Sequence, residues 1–599
     1  MGEPIRITAD EQKRILNFLE EEIPLAEREV HHPLQTEREK LEDLYRGKVK
    51  PRRMAWMSNF PVQMGATFTD SVTARLLNTM TAYKPFLTIK PTRNSGWTEV
   101  ATSVQELMEY KLMQELKIYP ALRKTVFEAV RLGTGAMLTP WVKETRKLPK
   151  KFMGVTYGQL EVPYREGVLP RHLPIRDLRY PGGFSELNEL PWWGRTMRWS
   201  KMDLDIQKAR GFYDNTEEVK KFERDRSQDD KAAQERAGEE PGTSNRIYGE
   251  EIYMNWSLGQ RTDYRRYIVT VHRESSNVMR VEEDAGPAWP LTLLRYGPRD
   301  YGICGLGIME MTQPYDDALY SLYNLLVDNF KIATMQVFKG RKGRGLRPNT
   351  KIYPSKLFLL DDPAADLIPM QMGAAYTLNP SFPRMVWELG ERRAGVSDYA
   401  LGRESPIAGG KATATGTLAL IQEGQRRFDL TVKDMRDAID DFGMYYLQLV
   451  HSQLSRRQSY MILGEKGQFV EEFLEIPSMP PYMALAVTCS LSQAAMNKEV
   501  EKQDAVATLR LLGEYYERMY QLAMTMAAQQ LPENVHTVLG DIAEAVSLKM
   551  KKVLQAYGEL SPEVYTDIMA PLTMTQPMAQ GAPQGAPSTG APPQGGPIV

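Results

Sequence analysis

The sequence predicts an α+β chain, mainly helical, and three observations carry that prediction. Apolar residues recur at helical spacing over long stretches, most regularly at Phe428, Val432, Met435, Ile439, Phe442, Tyr446 and Leu449. Between those stretches, EEIYMNWSL, YRRYIVTVHR, NVMRVEE and PLTLLRYG alternate as short strands do, with GQRTD, ESSN and DAGPAWP as the turns. The closing residues, MTQPMAQGAPQGAPSTGAPPQGGPIV, have no side chains with which to form a core and predict disorder.

The chain has 599 residues, enough for about three or four domain-sized units. Its 42% hydrophobic and 25% charged content is that of a globular protein. With 75 basic against 76 acidic residues the net charge is −1, which argues against a strongly basic nucleic-acid surface. Two cysteines, Cys304 and Cys489, are too few for a disulfide framework and point to a reducing compartment at synthesis. No run approaches the roughly 18 apolar residues of a membrane span. MGEPIRITADEQKRIL carries charge where a signal peptide has its apolar core, and a lone Gly2 does not make a myristoylation signal.

In chain order, Thr8 or Asp10 caps a first helix bearing Ile15, Phe18 and Leu19, interrupted or kinked at Pro24. A charged second helix follows over 28–45, then RGKVKPRRMAW, the most basic cluster. That cluster reads as a solvated loop, or as a contact with phosphate or an acidic neighbour. Phe68, Val72, Leu76 and Met80 mark a helix, and YKPFLTIKP turns extended. Helices are expected over 97–116 and 119–132, the latter with Gly133 as its stop, so VFEAVRLGTGAMLTPWV reads as helix, Gly-Thr-Gly turn and strand. Pro163, Pro170, Pro174, Pro181 and Pro191 punctuate short segments up to the three tryptophans of PWWGRTMRW, which read as core. Ser200 caps a helix that leads into a charged, apolar-poor run ending near Glu240, a solvated helix or a partly disordered excursion. After the four strands, Tyr315, Leu319, Leu322, Leu326 and Phe330 predict the apolar face of a long helix, with Pro314 as first turn or kink. GRKGRGLRPNTK is a basic loop, KIYPSKLFLL and DLIPMQM are short strands, and a helix over 383–393 leads to a glycine-rich loop. The row from Phe428 to Leu449 follows as a seam expected to pack on other helices. RQSYMIL, QFVEEF and MALAVTCSL then read as short strands, and helices are expected over 497–530 and 534–557.

The chemistry sought is not found in the pattern. The six histidines are scattered, with no zinc spacing, no HExxH, no CxxC and no G-x-S-x-G elbow. Gly133-Thr134-Gly135 follows a helix and precedes a strand, the wrong order for a phosphate loop. Gly410-Lys411 fails as a Walker motif because Ser405 and Ala412 stand where glycine and a hydroxyl are required. No catalytic residue, cofactor site or metal site is assigned, and an enzyme is not expected.

Three segments in order carry a resemblance: VFEAVRLGTGAMLTPWV, YGICGLGIMEMTQPYDDALYSLYNLLVDNF, and ERRAGVSDYALGRESPIAGGKATATGTLALIQEGQRRF. Together they resemble the portal, or head-to-tail connector, proteins of tailed bacteriophages. The resemblance implies a portal-like fold with wing, stem, β-rich clip and helical crown. It divides the chain into an N-terminal region and wing (1–199), a first stem helix with charged extension (200–240) and a clip (241–303). A second stem helix (304–335), a wing return (336–400) and a tunnel loop (401–415) follow. The remainder would be a long tunnel helix (416–456), short β segments (457–492), the crown (493–560) and a disordered tail (561–599).

It further implies a homo-oligomeric ring, a dodecamer, at one capsid vertex in the virion, assembled in the host cytoplasm with no membrane partner. Double-stranded DNA would pass through it during packaging and ejection. Its partners would be the terminase large subunit, head–tail adaptor or tail proteins, the major capsid protein and a scaffold protein. The tunnel loop would present Arg403, Glu404, Ser405, Gly409, Gly410, Lys411 and Thr413 to the channel. Tyr264, Arg265, Arg266, His272 and Arg273 would form the clip contact with motor or adaptor. The alternative is another virion assembly protein, a scaffold or head–tail adaptor, without a DNA channel.

Overall fold

The computed structural model describes residues 4–48, 54, 56–81, 84–91, 97–152, 155–222, 246–259, 263–284, 286–334, 337–340, 362, 367–370, 381–396, 414–454, 460, 462–475 and 485–489. Beyond these it describes only Arg510, Glu514, Glu517 and Gln521. Over most of 144–164 and over 414–427 only the backbone is described. The chain forms two units, Met1–Gln493 and Ala494–Val599. The crown at 493–560 thus lies, those four residues aside, outside the described residues, as do the tail and the basic loop GRKGRGLRPNTK.

In the first unit, the Thr8 hydroxyl accepts the Glu11 N–H and caps α1 (Ala9–Ala26), which runs through Pro24 rather than ending there. One turn of π-helix (Glu27–His31) joins it to α2 (His32–Tyr45). Then come α3 (Met64–Thr81), β1 (Leu87–Pro91), α4 (Thr98–Glu109) and α5 (Ile118–Leu132). Strands β2 (Thr134–Leu138), β3 (Trp141–Phe152), β4 (Val155–Val168), β5 (Arg171–Leu173), β6 (Leu178–Arg179) and β7 (Trp192–Trp199) follow. The Ser200–Asp203 capping box opens α6 (Lys201–Ala209). After Gly211, which is left-handed at φ +71°, comes the single turn α7 (Thr216–Val219). A continuous stem helix over 200–240 is therefore not what the described part of that range forms, and 223–245 lies outside the described residues.

All four expected strands exist, as β8 (Ile247–Trp256), β9 (Arg265–His272), β10 (Asn277–Glu283) and β11 (Leu291–Arg295). They are not a separate insertion. An antiparallel sheet runs β10-β9-β8-β7-β6, so the expected clip shares a sheet with Trp192–Trp199, and β11 pairs with β2 in the sheet β11-β2-β5. Alternation along the strands gives the five-stranded sheet two apolar faces. On one, Trp192, Ile252, Val269 and Val271 bury Ile15, Leu19 and Ile23 of α1. On the other, Trp193 stacks on Tyr253 at 4.1 Å and joins Leu132, Ala136, Leu138 and Leu291.

The remaining elements are α8 (Ile308–Thr334), β12 (Val337–Gly340), β13 (Leu367–Met370), α9 (Ser381–Ala394), α10 (Ala414–Gln453), α11 (Gly467–Leu474) and β14 (Leu485–Cys489). Two further expectations change here. QFVEEF lies in helix α11, because Val470 and Phe473 bury one helical turn apart; only the last of the three expected strands is present among the described residues. The α10 seam is buried as predicted, but inside its own chain. It packs on β14, β11, α11 and β4, and Asp440 accepts the Cys489 N–H of β14. Helical periodicity reports which face is covered, not by what.

Candidate functional site

The residues that carry the resemblance meet in space. Helix α5 ends at Gly133, left-handed at φ +94°, whose N–H donates to Ala129 O. The Tyr296 N–H donates to Gly133 O at 3.0 Å, the Gly305 N–H to Thr134 Oγ1 at 2.7 Å, and the Leu306 N–H to Gly297 O at 2.9 Å. A Cβ on Gly305 would lie 2.6 Å from both Gly133 O and Gly297 O, and one on Gly307 would lie 2.5 Å from Arg131 O and Gly133 N. The glycines of GTG and GICGLG are there because two backbones touch. The turn sits at a helix C-terminus, which presents carbonyl oxygens and so repels phosphate.

The third segment arrives beside them. Helix α9 stops at Gly395 (φ +70°), the Val396 N–H donates to Glu391 O, and Val396 is buried. The next described residue is Ala414, the start of α10. A cavity of about 360 Å³ lies between Ala394–Val396, Phe428 and Leu430, the Tyr296–Gly297 turn, and Arg75 of α3. The Arg75 guanidinium sits 4.1 Å over the Phe428 ring; burial lowers its pKa while Asp429 opposes the shift. The base of the glycine-rich loop is thus built on the glycine junction. Arg403, Glu404, Ser405, Gly409, Gly410, Lys411 and Thr413 themselves lie outside the described residues.

The expected clip contact is not one patch. Tyr264 is 72% exposed just before β9, and Arg265 makes surface ion pairs with Asp263 and Glu283. Arg266 lies over the Trp289 ring and donates to Gly286 O. His272 and Arg273 sit at the far end of the strand, about 25 Å away at the rise of extended chain. His272 is 1% exposed, its Nδ1 accepting the Ser275 N–H at 3.1 Å. Arg273 pairs with Glu27 and Glu250. Only Tyr264 and Arg265 are free to meet a partner at that end.

Arg273 belongs instead to a charged cavity of about 490 Å³ that the sequence reading missed. Arg198 binds Asp177 through two nitrogens at 2.8 and 2.9 Å, and Arg179 donates to Arg176 O and to His31 Nδ1. Burial, then Arg179 and Arg38, push the His31 imidazole down to about 3, so it is neutral and accepts. Glu250 is held protonated more readily than usual by burial, against Arg273. The cavity's charges are balanced, four arginines facing four carboxylates, and its work is to clamp the α1–α2 π-turn to the sheet.

Among the described residues no three His, Cys, Asp or Glu side chains are placed to hold a metal ion, and no helix is long and apolar enough to cross a membrane. No family model matches the sequence, and no curated protein matches it.

Proposed function

We propose that this chain is a portal-type protein: a ring subunit that lines a channel for double-stranded DNA and gives the packaging motor and tail their docking platform. The observation that carries the reading is the convergence just described. Three segments spread over some three hundred residues, whose order resembles the portal family, close on one glycine junction at the base of the loop expected to face the channel. A conserved order alone would be weak support; a shared backbone contact gives the order a structural reason. The near-neutral net charge supports it too, since DNA held by many phosphate contacts would not slide.

On this reading the work is mechanical and the chain is not an enzyme. The terminase large subunit and head–tail adaptor would be met at exposed ends such as Tyr264 and Arg265, and the major capsid and scaffold proteins at the wing. The assembled protein would sit at the portal vertex of the virion. The test is the mass of the purified chain: a twelve-copy ring of this 68.2 kDa subunit weighs about 820 kDa. A discrete species near that mass, with a central hole in negative stain, is expected. An open polymer or a small oligomer would favour a scaffold or adaptor role instead.

A further inference from the structure

The last turns of α8 are built inside out. The row expected to be its buried apolar face is not: of Tyr315, Leu319, Leu322, Leu326 and Phe330, only Leu319 is fully buried. The buried stripe is polar, comprising Thr312, Asp316, Asn324 and Asp328. Asp316 accepts the Met64 and Gly65 N–H groups at the start of α3. Asn324 accepts the Phe60 N–H at 2.6 Å and donates to Phe60 O at 3.1 Å, and Asp328 accepts the Ser58 N–H at 2.6 Å. The Lys331 ammonium reaches Trp56 O at 3.1 Å. The helix therefore spends its polar groups on an extended strap, residues 56–60.

What is left outside is apolar. Leu325 is 52% exposed, Tyr323 and Val327 are 37% exposed, and the strap adds Trp56 at 48% and Phe60 at 61%. The hydrogen bonds above place the strap against the same turns, so these residues form one surface. They leave on the order of 500 Å² of apolar area uncovered, given the size of such side chains. A stable interface buries about 800 Å² per partner, of which about 65% is apolar at its core, so the patch has the area of one such face. A helix apolar on every side except where it meets polar backbone is a buried helix. DNA is a poor occupant, because a phosphate backbone needs cations and this face offers aromatic and aliphatic carbon.

We propose that the face formed by the strap and the end of α8 is the contact through which one copy of the chain meets the next. This rests on the ring reading above and assigns the residues that hold the ring together. The experiment uses the full chain in two variants. In Leu325→Glu, a charge enters the centre of the face, and the concentration at which half the chain is assembled should rise at least tenfold by mass photometry. In Leu325→Cys, maleimide labelling should be at least tenfold slower in the assembled fraction than after dilution below the assembly midpoint; Cys304 and Cys489 are both buried. Wild-type chain that stays monomeric at every concentration overturns the ring reading and this proposal together. Wild-type rings with unchanged assembly of Leu325→Glu and equal labelling rates overturn the proposal alone. Slow labelling in the monomer also overturns it, because the face is then covered by the chain itself. If Leu325→Glu fails to fold, the Leu325→Cys rates decide.

Discussion

Replacing Gly305 by alanine tests the glycine junction directly. The added Cβ would lie 2.6 Å from Gly133 O and from Gly297 O, both backbone atoms that cannot rotate away. Forcing a methyl group into such a contact costs about 1–3 kcal/mol. The smaller conformational freedom of the unfolded alanine chain offsets about 0.4–1 kcal/mol of that. The net loss expected is about 1–2 kcal/mol, and thermal melting followed by far-UV circular dichroism should show it as a fall of a few degrees. Gly133→Ala should cost more, about 2–4 kcal/mol, because it adds left-handed strain at φ +94° to a collision with the 305 backbone. Gly302→Ala is the control: its φ is +87°, but nothing lies within 4 Å of the new Cβ, so only the strain of about 1 kcal/mol remains. Gly305→Ala melting with wild type, or Gly302→Ala falling as far as Gly133→Ala, would refute the close-contact reasoning.

Three further predictions concern charge and the strap. Burial, reinforced by Asp317, pushes Asp316 up to about 6 although it accepts two backbone N–H groups. The native state then keeps a proton that the unfolded chain releases near pH 4, so stability is lost as pH rises from about 4 to about 6, by up to about 3 kcal/mol. Asp316→Asn should flatten that part of the stability–pH profile; a variant that keeps the wild-type slope contradicts the assignment. Glu251 is buried, yet Arg195 at 2.8 Å and Tyr253 hold its pKa below the usual value. Arg195→Met should cost about 3–5 kcal/mol by stranding the carboxylate, and Arg195→Met/Glu251→Leu should cost less; equal losses by urea denaturation would show that the pair is not coupled. Asn324→Ala removes both bonds to the Phe60 backbone and should speed limited proteolysis within 54–60 severalfold, with circular dichroism unchanged.

The sequence was most legible where one element decides its own state. The α5 stop at Gly133, the Thr8 cap, the four strands from Ile247 to Arg295 and the buried α10 seam all follow from local periodicity or cap chemistry. It was least legible where a distant partner decides. Nothing in EEIYMNWSL says that it pairs with Trp192–Trp199, and nothing in the α10 seam says that a strand nearly forty residues later covers it. The α8 error has a clear cause. Leu322, Leu326 and Phe330 outnumber Asn324 and Asp328 in any hydrophobicity pattern, but two polar groups with backbone partners fix the inward face. The charged cavity around His31 was invisible because its residues come from the α1–α2 turn, β6, β7 and β8, each unremarkable alone. The glycines were noticed for mobility, whereas Gly133, Gly305 and Gly307 serve close packing.

The central claim is that the glycine-rich loop faces a channel. A cryo-electron-microscopy reconstruction of the assembled chain tests it most directly. The account predicts a closed ring of about twelve copies in which the 401–415 loop points into the central hole, with Arg403 and Lys411 within reach of a duplex on the axis. A ring with that loop on its outer surface, or an assembly with no central hole, would contradict it.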